Sequence, residues 1–390
     1  MNFDEIINRK NTHSAKWDMM EELFGVSKDN GIPMWVADMD FRPPKCISES
    51  IKKMYDHGVY GYFGDDKDYL ASIKWWMKTR HNWDIDLSWI FTTHGLVNGT
   101  SMAIQTYSDP GDGVVLFTPI YYVFFKQIKE GGREVLECPL VNNKGHYELD
   151  FEYYDSLMKG NEKVLVLSSP HNPGGRVWTQ KELTEIASFA QRHDLVVVSD
   201  EIHNDLIMPG YKHIPMAIAA PQILDRLVMM TATTKTFNIA GMHTGNVIIP
   251  DPKLRAAFNK TMVSFGISPS SFGKHMITAA YSQEGADWVD NLMLYLDENQ
   301  KIFNTELGKI PGINSMHLES TYLCWVDFSN TGMRKDEFTK RVEKTARIAA
   351  SHGHTFGAGG DSFLRFNIAT RRTLLLEALE RLNETFSDLQ

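Results

Sequence analysis

The sequence predicts an α/β protein: a mostly parallel sheet sandwiched by helices, followed by a smaller α+β domain at the C-terminal end. Two observations predict the large sheet. Apolar runs such as Val114-Val115-Leu116-Phe117, Val164-Leu165-Val166-Leu167 and Leu195-Val196-Val197-Val198 show no polar alternation. That is the signature of strands buried on both faces. Helical stretches, among them Gln180 to Arg192, separate these runs, so strand and helix alternate as in repeated βα units. A third observation predicts the smaller domain. After Pro250 the pattern turns helical, through a long amphipathic stretch from Ala286 to Leu307. It then gives a strand at Thr321–Phe328, a helix from Lys335 to Ser351, a strand at Phe363–Ile368 and a closing helix from Leu374 to Leu389.

Earlier elements follow the same logic. The run Ile32 to Phe41 reads as a short strand, ended by Pro43-Pro44 before a helix that begins near Lys45. Asp38 and Asp40 read equally well as turn carboxylates. Tyr60-Gly61-Tyr62-Phe63-Gly64 is a loop, and Tyr69 to Trp83 is helical. Ile90–Thr93 is a strand, and a helix starts at His94-Gly95 and runs to Tyr107. Thr118-Pro119-Ile120-Tyr121-Tyr122 closes the strand Val114–Phe117 and places an aromatic at its C-terminal end.

Composition excludes several functions. With 390 residues and 43% hydrophobic content the chain can bury a large core. A net charge of -9 disfavours a nucleic-acid surface, though a pocket on an acidic protein can still be locally positive. No window reaches the roughly 18 apolar residues of a membrane span. Met1-Asn2-Phe3-Asp4-Glu5 does not read as a signal peptide. Cys46, Cys138 and Cys324 are odd in number and widely spaced, which suits a reducing cytoplasm. The histidines form no HExxH-type pattern, so no metal site is expected.

Two strand ends carry the chemistry. Asp200 closes one buried run, and Lys235 follows the run Arg226–Met230. In an open α/β sheet, ligands bind at the C-terminal strand ends. A lysine facing an acid across such a site suits pyridoxal phosphate, which needs an amine for a Schiff base and a carboxylate for its ring nitrogen. The glycine at the Thr93–Leu96 turn suits a phosphate at a helix N-terminus, and the absence of GxGxxG argues against a dinucleotide.

Six motifs in order resemble the pyridoxal-phosphate-dependent enzymes of fold type I, the aminotransferase class I/II superfamily. They are Trp35 to Phe41, Tyr60-Gly61-Tyr62, Thr118 to Tyr122, Ser169 to Gly175, Ser199 to His203 and Lys235 to Gly241. The likeness covers essentially the whole chain. It is nearest the carbon–sulfur lyase branch, the cystathionine β-lyase and cystalysin-like enzymes.

The resemblance implies roles. Lys235 carries the cofactor and then acts as base at the substrate Cα, with Thr234 before it in the place of the usual serine. Asp200 pairs with the ring nitrogen, and Asn172 bonds the ring oxygen. His203 stands where many aminotransferases have a tyrosine. Tyr121 stacks on the ring, and Tyr122 contacts substrate as a further catalytic candidate. Gly95, Leu96 and Val97 offer backbone N–H groups to the phosphate. Tyr62 reaches the phosphate of the neighbouring subunit, which implies a homodimer with a shared active site. Arg365 clamps the substrate carboxylate, with Asn172, Tyr122 and Ala37 beside it. His243 stands where aminotransferases usually carry a phosphate-binding arginine, a departure compatible with the lyase branch.

The expected division is an N-terminal segment over 1–48 packing with the small domain, a cofactor-binding domain over 49–285 and a small domain over 286–390. The expected activity is cleavage of the Cβ–S bond of cystathionine or cysteine. An aminotransferase is the alternative enzyme. A regulatory role through protein–protein contacts is the alternative from another class.

Overall fold

Runs without polar alternation form the inside of a seven-stranded sheet in the computed structural model, which describes residues 1–390. The strand order is Ile90–Thr93, Gly245–Ile248, Leu227–Thr231, Val196–Asp200, Glu162–Ser168, Gly113–Thr118, Glu134–Pro139. Gly245–Ile248 runs antiparallel to both of its neighbours, and every other pairing is parallel. Alternate residues of each strand feed two separate cores. Val115, Phe117, Leu165, Leu167, Val197 and Met229 face one, while Val114, Leu116, Val164, Val166, Val198 and Met230 face the other. Burial on both faces explains why these strands read as unbroken apolar runs.

Helices cover each face. Gln180–Arg192 is started by a capping box, in which Thr179 Oγ1 accepts from the Glu182 N–H and Glu182 accepts from the Thr179 N–H. The long helix Gln283–Leu307 leads to a four-stranded antiparallel sheet in the order Asn314–Ser315, Leu323–Asp327, Phe363–Asn367, Ser351–His352. Ile32–Pro33 pairs in parallel with Ile348–Ala349, fastening the N-terminal segment beside this sheet. No helix is long and apolar enough to cross a membrane.

Three expectations need correction. The Lys335–Ser351 helix stops at Lys340, continues as a π turn over Arg341–Thr345, and gives way to strands at Ile348–Ala349 and Ser351–His352. Arg347 turns left-handed at φ 57°, and the next two residues pair with Ile32–Pro33, so long-range pairing overrides local helical spacing. The Ile32–Phe41 run is strand only at Ile32–Pro33. The closing helix spans Arg372–Thr385, with a 3₁₀ turn at Ser387–Leu389.

Candidate active site

The C-terminal ends of the parallel strands open into a cavity of about 900 Å³. Its walls include Ala37, Gly95, Leu96, Val97, Tyr121, Tyr122, Asn172, Asp200, His203, Thr234, Lys235 and Arg365, and also His243. Of the residues singled out in the sequence, Tyr62 alone lies elsewhere: its side chain is fully exposed in the loop before the helix Lys67–His81.

Asp200 ends its strand and faces the cavity, with Oδ1 accepting the Ile202 N–H at 3.1 Å. Burial pushes its carboxyl up to about 7. The Ile202 bond and the Lys235 charge pull the other way, and Glu201 adds to the rise. Glu201 turns away into the core, where it accepts from Ser199 Oγ and the Met216 N–H and pairs with His213 Nε2 at 2.8 Å.

Lys235 rides on the single helical turn Thr233–Thr236. Its Nζ donates to the Ala37 carbonyl at 2.7 Å. Burial lowers the amine to about 8; Asp38 opposes this, Arg365 adds to it, and Asp200 also opposes it. The turn is pinned from behind. Thr236 Oγ1 donates to Asp205, which also takes Trp76 Nε1 and pairs with His81 Nε2. Burial alone would raise the Asp205 carboxyl, but His81 and Thr236 hold it below the usual range.

Arg365 sits mid-strand and is buried. Its partners are all neutral: Asn172 Oδ1 at 2.9 Å, the Trp35 carbonyl at 3.0 Å and Ser351 Oγ at 3.2 Å. Its guanidinium lies 4.9 Å from the Phe356 ring centroid. A buried cation with only neutral partners is poised for an anion. His203 is held neutral by burial and by the nearby Lys235 and Arg365 charges, which bring it down to about 3; its Nδ1 is buried without a partner.

Gly95 opens the helix Gly95–Tyr107 with φ +80°, a backbone that disfavours any side chain, and leaves first-turn N–H groups at the cavity wall. Gly245 lies behind this turn, where a Cβ would stand 2.5 Å from Leu96 and 3.0 Å from backbone. His243, left-handed at φ 44°, completes this end.

The ribbon Trp35–Phe41 joins these groups, and side chains hold its carbonyls in place of strand bonds. Trp35 O accepts from Ser351 and Arg365, Val36 O and Asp38 O from Asn367, and Ala37 O from Lys235 and Tyr322. Asn238 takes the Met39 N–H and donates to the Met39 and Phe41 carbonyls. Beneath it, Arg9 bridges Asp38 and Asp40, and the fully buried Lys16 reaches Asp40 at 2.8 Å. Asp38 and Asp40 are thus partners of the half-buried Arg9 and the buried Lys16, where the sequence left them as turn carboxylates. Asp40→Ala would leave Lys16 buried without its closest counter-charge. Loss of about 3 kcal/mol in urea unfolding is expected, and a change below about 1 kcal/mol would show that the pair carries no stability.

Sequence reasoning missed Arg9, Lys16, Tyr322, Asn238 and Asn367. Asn238 and Asn367 had a faint signal: they stand three residues after Lys235 and two after Arg365. Arg9 and Lys16 had none.

An open parallel sheet with a lysine and a carboxylate at adjacent strand ends, and a buried arginine from a second sheet, defines a class of cofactor-using α/β enzymes. The chain belongs to the aminotransferase class I and II family, whose model matches residues 32–382. It is 37% identical over 390 residues to the cystathionine beta-lyase PatB of Bacillus subtilis, covering 99% of this chain and 100% of that protein. It is 31% identical over 378 residues to the protein MalY of Escherichia coli, covering 96% and 95%. The crystal structure of cystalysin from Treponema denticola, which contains a pyridoxal 5'-phosphate cofactor, matches with a TM-score of 0.95 at 38% identity. That match covers 100% of this chain and 99% of the other. The fold is therefore the type I fold that the six motifs imply.

Proposed function

We propose that this chain is a pyridoxal-phosphate-dependent carbon–sulfur β-lyase, releasing pyruvate, ammonia and a thiol from cystathionine or cysteine. The observation that carries the reading is the convergence of Lys235, Asp200, Asn172 and Arg365 on one cavity. Full-length similarity to the cystathionine beta-lyase PatB selects the branch.

The residues present fit the cofactor. Asp200 is a buried carboxylate whose one hydrogen bond from the protein is the Ile202 N–H, which suits a cationic ring nitrogen. The unpartnered Nδ1 of His203 and the Gly95 turn suit a ring oxygen and a phosphate. When bound, pyridoxal phosphate supplies an aldehyde that captures the amine and a ring that accepts the electron pair released at the substrate Cα.

The protein's part is positioning and proton transfer. Asp200 would pair with the ring nitrogen, Tyr121 would lie against the ring, and Asn172 and His203 would serve the ring oxygen. Thr234 and the N–H groups of Gly95, Leu96 and Val97 would hold the phosphate. Arg365 binds the α-carboxylate, aided by Asn172, Ala37 and Tyr122, and so sets the Cα hydrogen towards Lys235. The Lys235 amine, brought down to about 8, has a free base fraction near neutral pH and takes that proton at Nζ. The electron pair left behind expels the thiolate from Cβ.

Tyr62 belongs in this reading to the neighbouring subunit's cavity. It is fully exposed alongside exposed Val59 and Tyr60, which suits a face covered in a homodimer. We assign 1–48 to an N-terminal segment, 49–285 to the cofactor domain and 286–390 to the small domain, and place the enzyme in the cytoplasm.

The family name favours one second reading, an aminotransferase, which would share the Cα proton transfer and would need a keto acid as amino acceptor. Incubation with L-cystathionine and no keto acid separates the two. Pyruvate and free thiol are expected from the lyase, whereas product only after keto acid is added would establish the transferase.

A further inference from the structure

The loop that follows Asp200 serves two sides. Asp200 and His203 line the cavity, whereas Asp205, five residues after Asp200, does not. The loop between them is tightly folded: the Asn204 N–H donates to the Glu201 carbonyl and the Leu206 N–H to the His203 carbonyl. Asp205 is buried and has three side-chain partners. Oδ1 accepts from Trp76 Nε1 at 3.0 Å and pairs with His81 Nε2 at 2.9 Å. Oδ2 accepts from Thr236 Oγ1 at 3.0 Å.

Thr236 belongs to the turn that carries Lys235. That turn has no side-chain cap, and the Thr233 hydroxyl on it is buried without a partner. Two side-chain hydrogen bonds hold it, Lys235 forward to the Ala37 carbonyl and Thr236 backward to Asp205. A single helical turn has little stability of its own, so such ties and the packing around them set its orientation. The forward tie is made by the amine itself and is given up once that amine is engaged. The backward tie is independent of what Nζ does. It is also braced: Phe237, next in the chain, packs edge-on against Trp76 with centroids 5.6 Å apart, and Trp76 stacks on Tyr281 at 4.7 Å. After burial, the groups that act on the Lys235 amine are Asp38, Arg365 and Asp200, so Asp205 bears on it through the backbone of the turn.

We propose that Asp205 is a positioning residue, which through Thr236 locks the Lys235 turn to the loop presenting Asp200 and His203. Amine and carboxylate are thereby held as one rigid body across two neighbouring strand ends, and the amine meets its reaction partners at a fixed distance and angle. The proposal deepens the lyase reading, although its first measurement needs only Lys235 and the cofactor.

Thr236→Val keeps the shape of the side chain and removes the donor, whereas Thr236→Ser keeps the donor. Cofactor-free full-length protein is mixed with pyridoxal phosphate, and capture by Lys235 is followed by absorbance and fixed with borohydride. Misplacing a reacting group by about 1 Å can cost about 10²-fold. Thr236→Val should slow capture about tenfold and lower kcat for L-cystathionine about 30-fold, with KM within about twofold because Arg365 is untouched. Thr236→Ser should stay within about threefold of the wild type in both measurements. Trp76→Phe, which takes one donor from Asp205 and keeps an aromatic ring in place, should slow capture about threefold. A merely structural hydroxyl would lower the melting temperature of Thr236→Val and leave capture and kcat unchanged, which overturns the proposal. Equal losses in the valine and serine variants overturn it too. A wild type that captures the cofactor but yields no pyruvate sinks the lyase reading, while the capture rates of the variants still decide the lock.

Discussion

Replacement of Lys235 by alanine is expected to lower turnover of L-cystathionine about 10⁴-fold while leaving the fold intact. In the proposed reaction the amine does two jobs at one atom, holding the cofactor and taking the Cα proton, and a positioned base alone contributes roughly 10²–10⁴-fold. The stability cost should be small. Lys235 is half-buried, burial of its amine pushes it down from 10.5 to about 8, and its one hydrogen bond is to the Ala37 carbonyl, which Tyr322 also serves at 3.1 Å. Removing a buried base therefore removes a desolvation cost along with one hydrogen bond. Pyruvate release, circular dichroism and titration with pyridoxal phosphate would check this. Retained turnover within tenfold would place the base elsewhere.

Asp200→Asn should separate function from stability. Activity is expected to fall about 10³-fold, because the amide cannot balance a protonated ring nitrogen and an uncompensated buried charge is costly. The cofactor-free protein should change in the opposite direction. Burial raises the Asp200 carboxyl from 3.8 to about 7, so the native state binds its proton more tightly than the unfolded chain. That contribution is fully present below about pH 3.8 and is lost as pH rises through 7. At about 1.4 kcal/mol per pH unit, and with Lys235 offsetting part, the loss is roughly 2–4 kcal/mol. The stability gain of the variant should thus grow from near zero at pH 4 to that size at pH 8. Thermal unfolding of the cofactor-free proteins across this range reads it directly. Destabilisation by the same amount at every pH would mean that the carboxylate is a structural acceptor.

Much of this protein is legible in its sequence because burial has a local signature. Strands covered on both faces must be apolar at every position, so Val114–Phe117, Val164–Leu167 and Val196–Val198 announce the parallel sheet. Residues that end such strands reach the site by chain direction alone, which is why Asp200, Lys235 and the Gly95 turn can be placed in advance. Asn172 was legible through its motif and Arg365 through the position it matches in the family, and their hydrogen bond spans 193 positions.

Only the tertiary structure decided the rest. Arg9 meets Asp38 across 29 positions, Asn238 meets Met39 across 199, and Arg365 meets Trp35 across 330. No periodicity encodes such pairs, because each is set by how separate elements pack. The same packing turned Ile348–Ala349 from helix into strand, left Trp35–Phe41 as a ribbon held by side chains, and put Tyr62 on the surface. Local pattern determines which residues are buried, and the packing of distant segments determines which charges those residues meet.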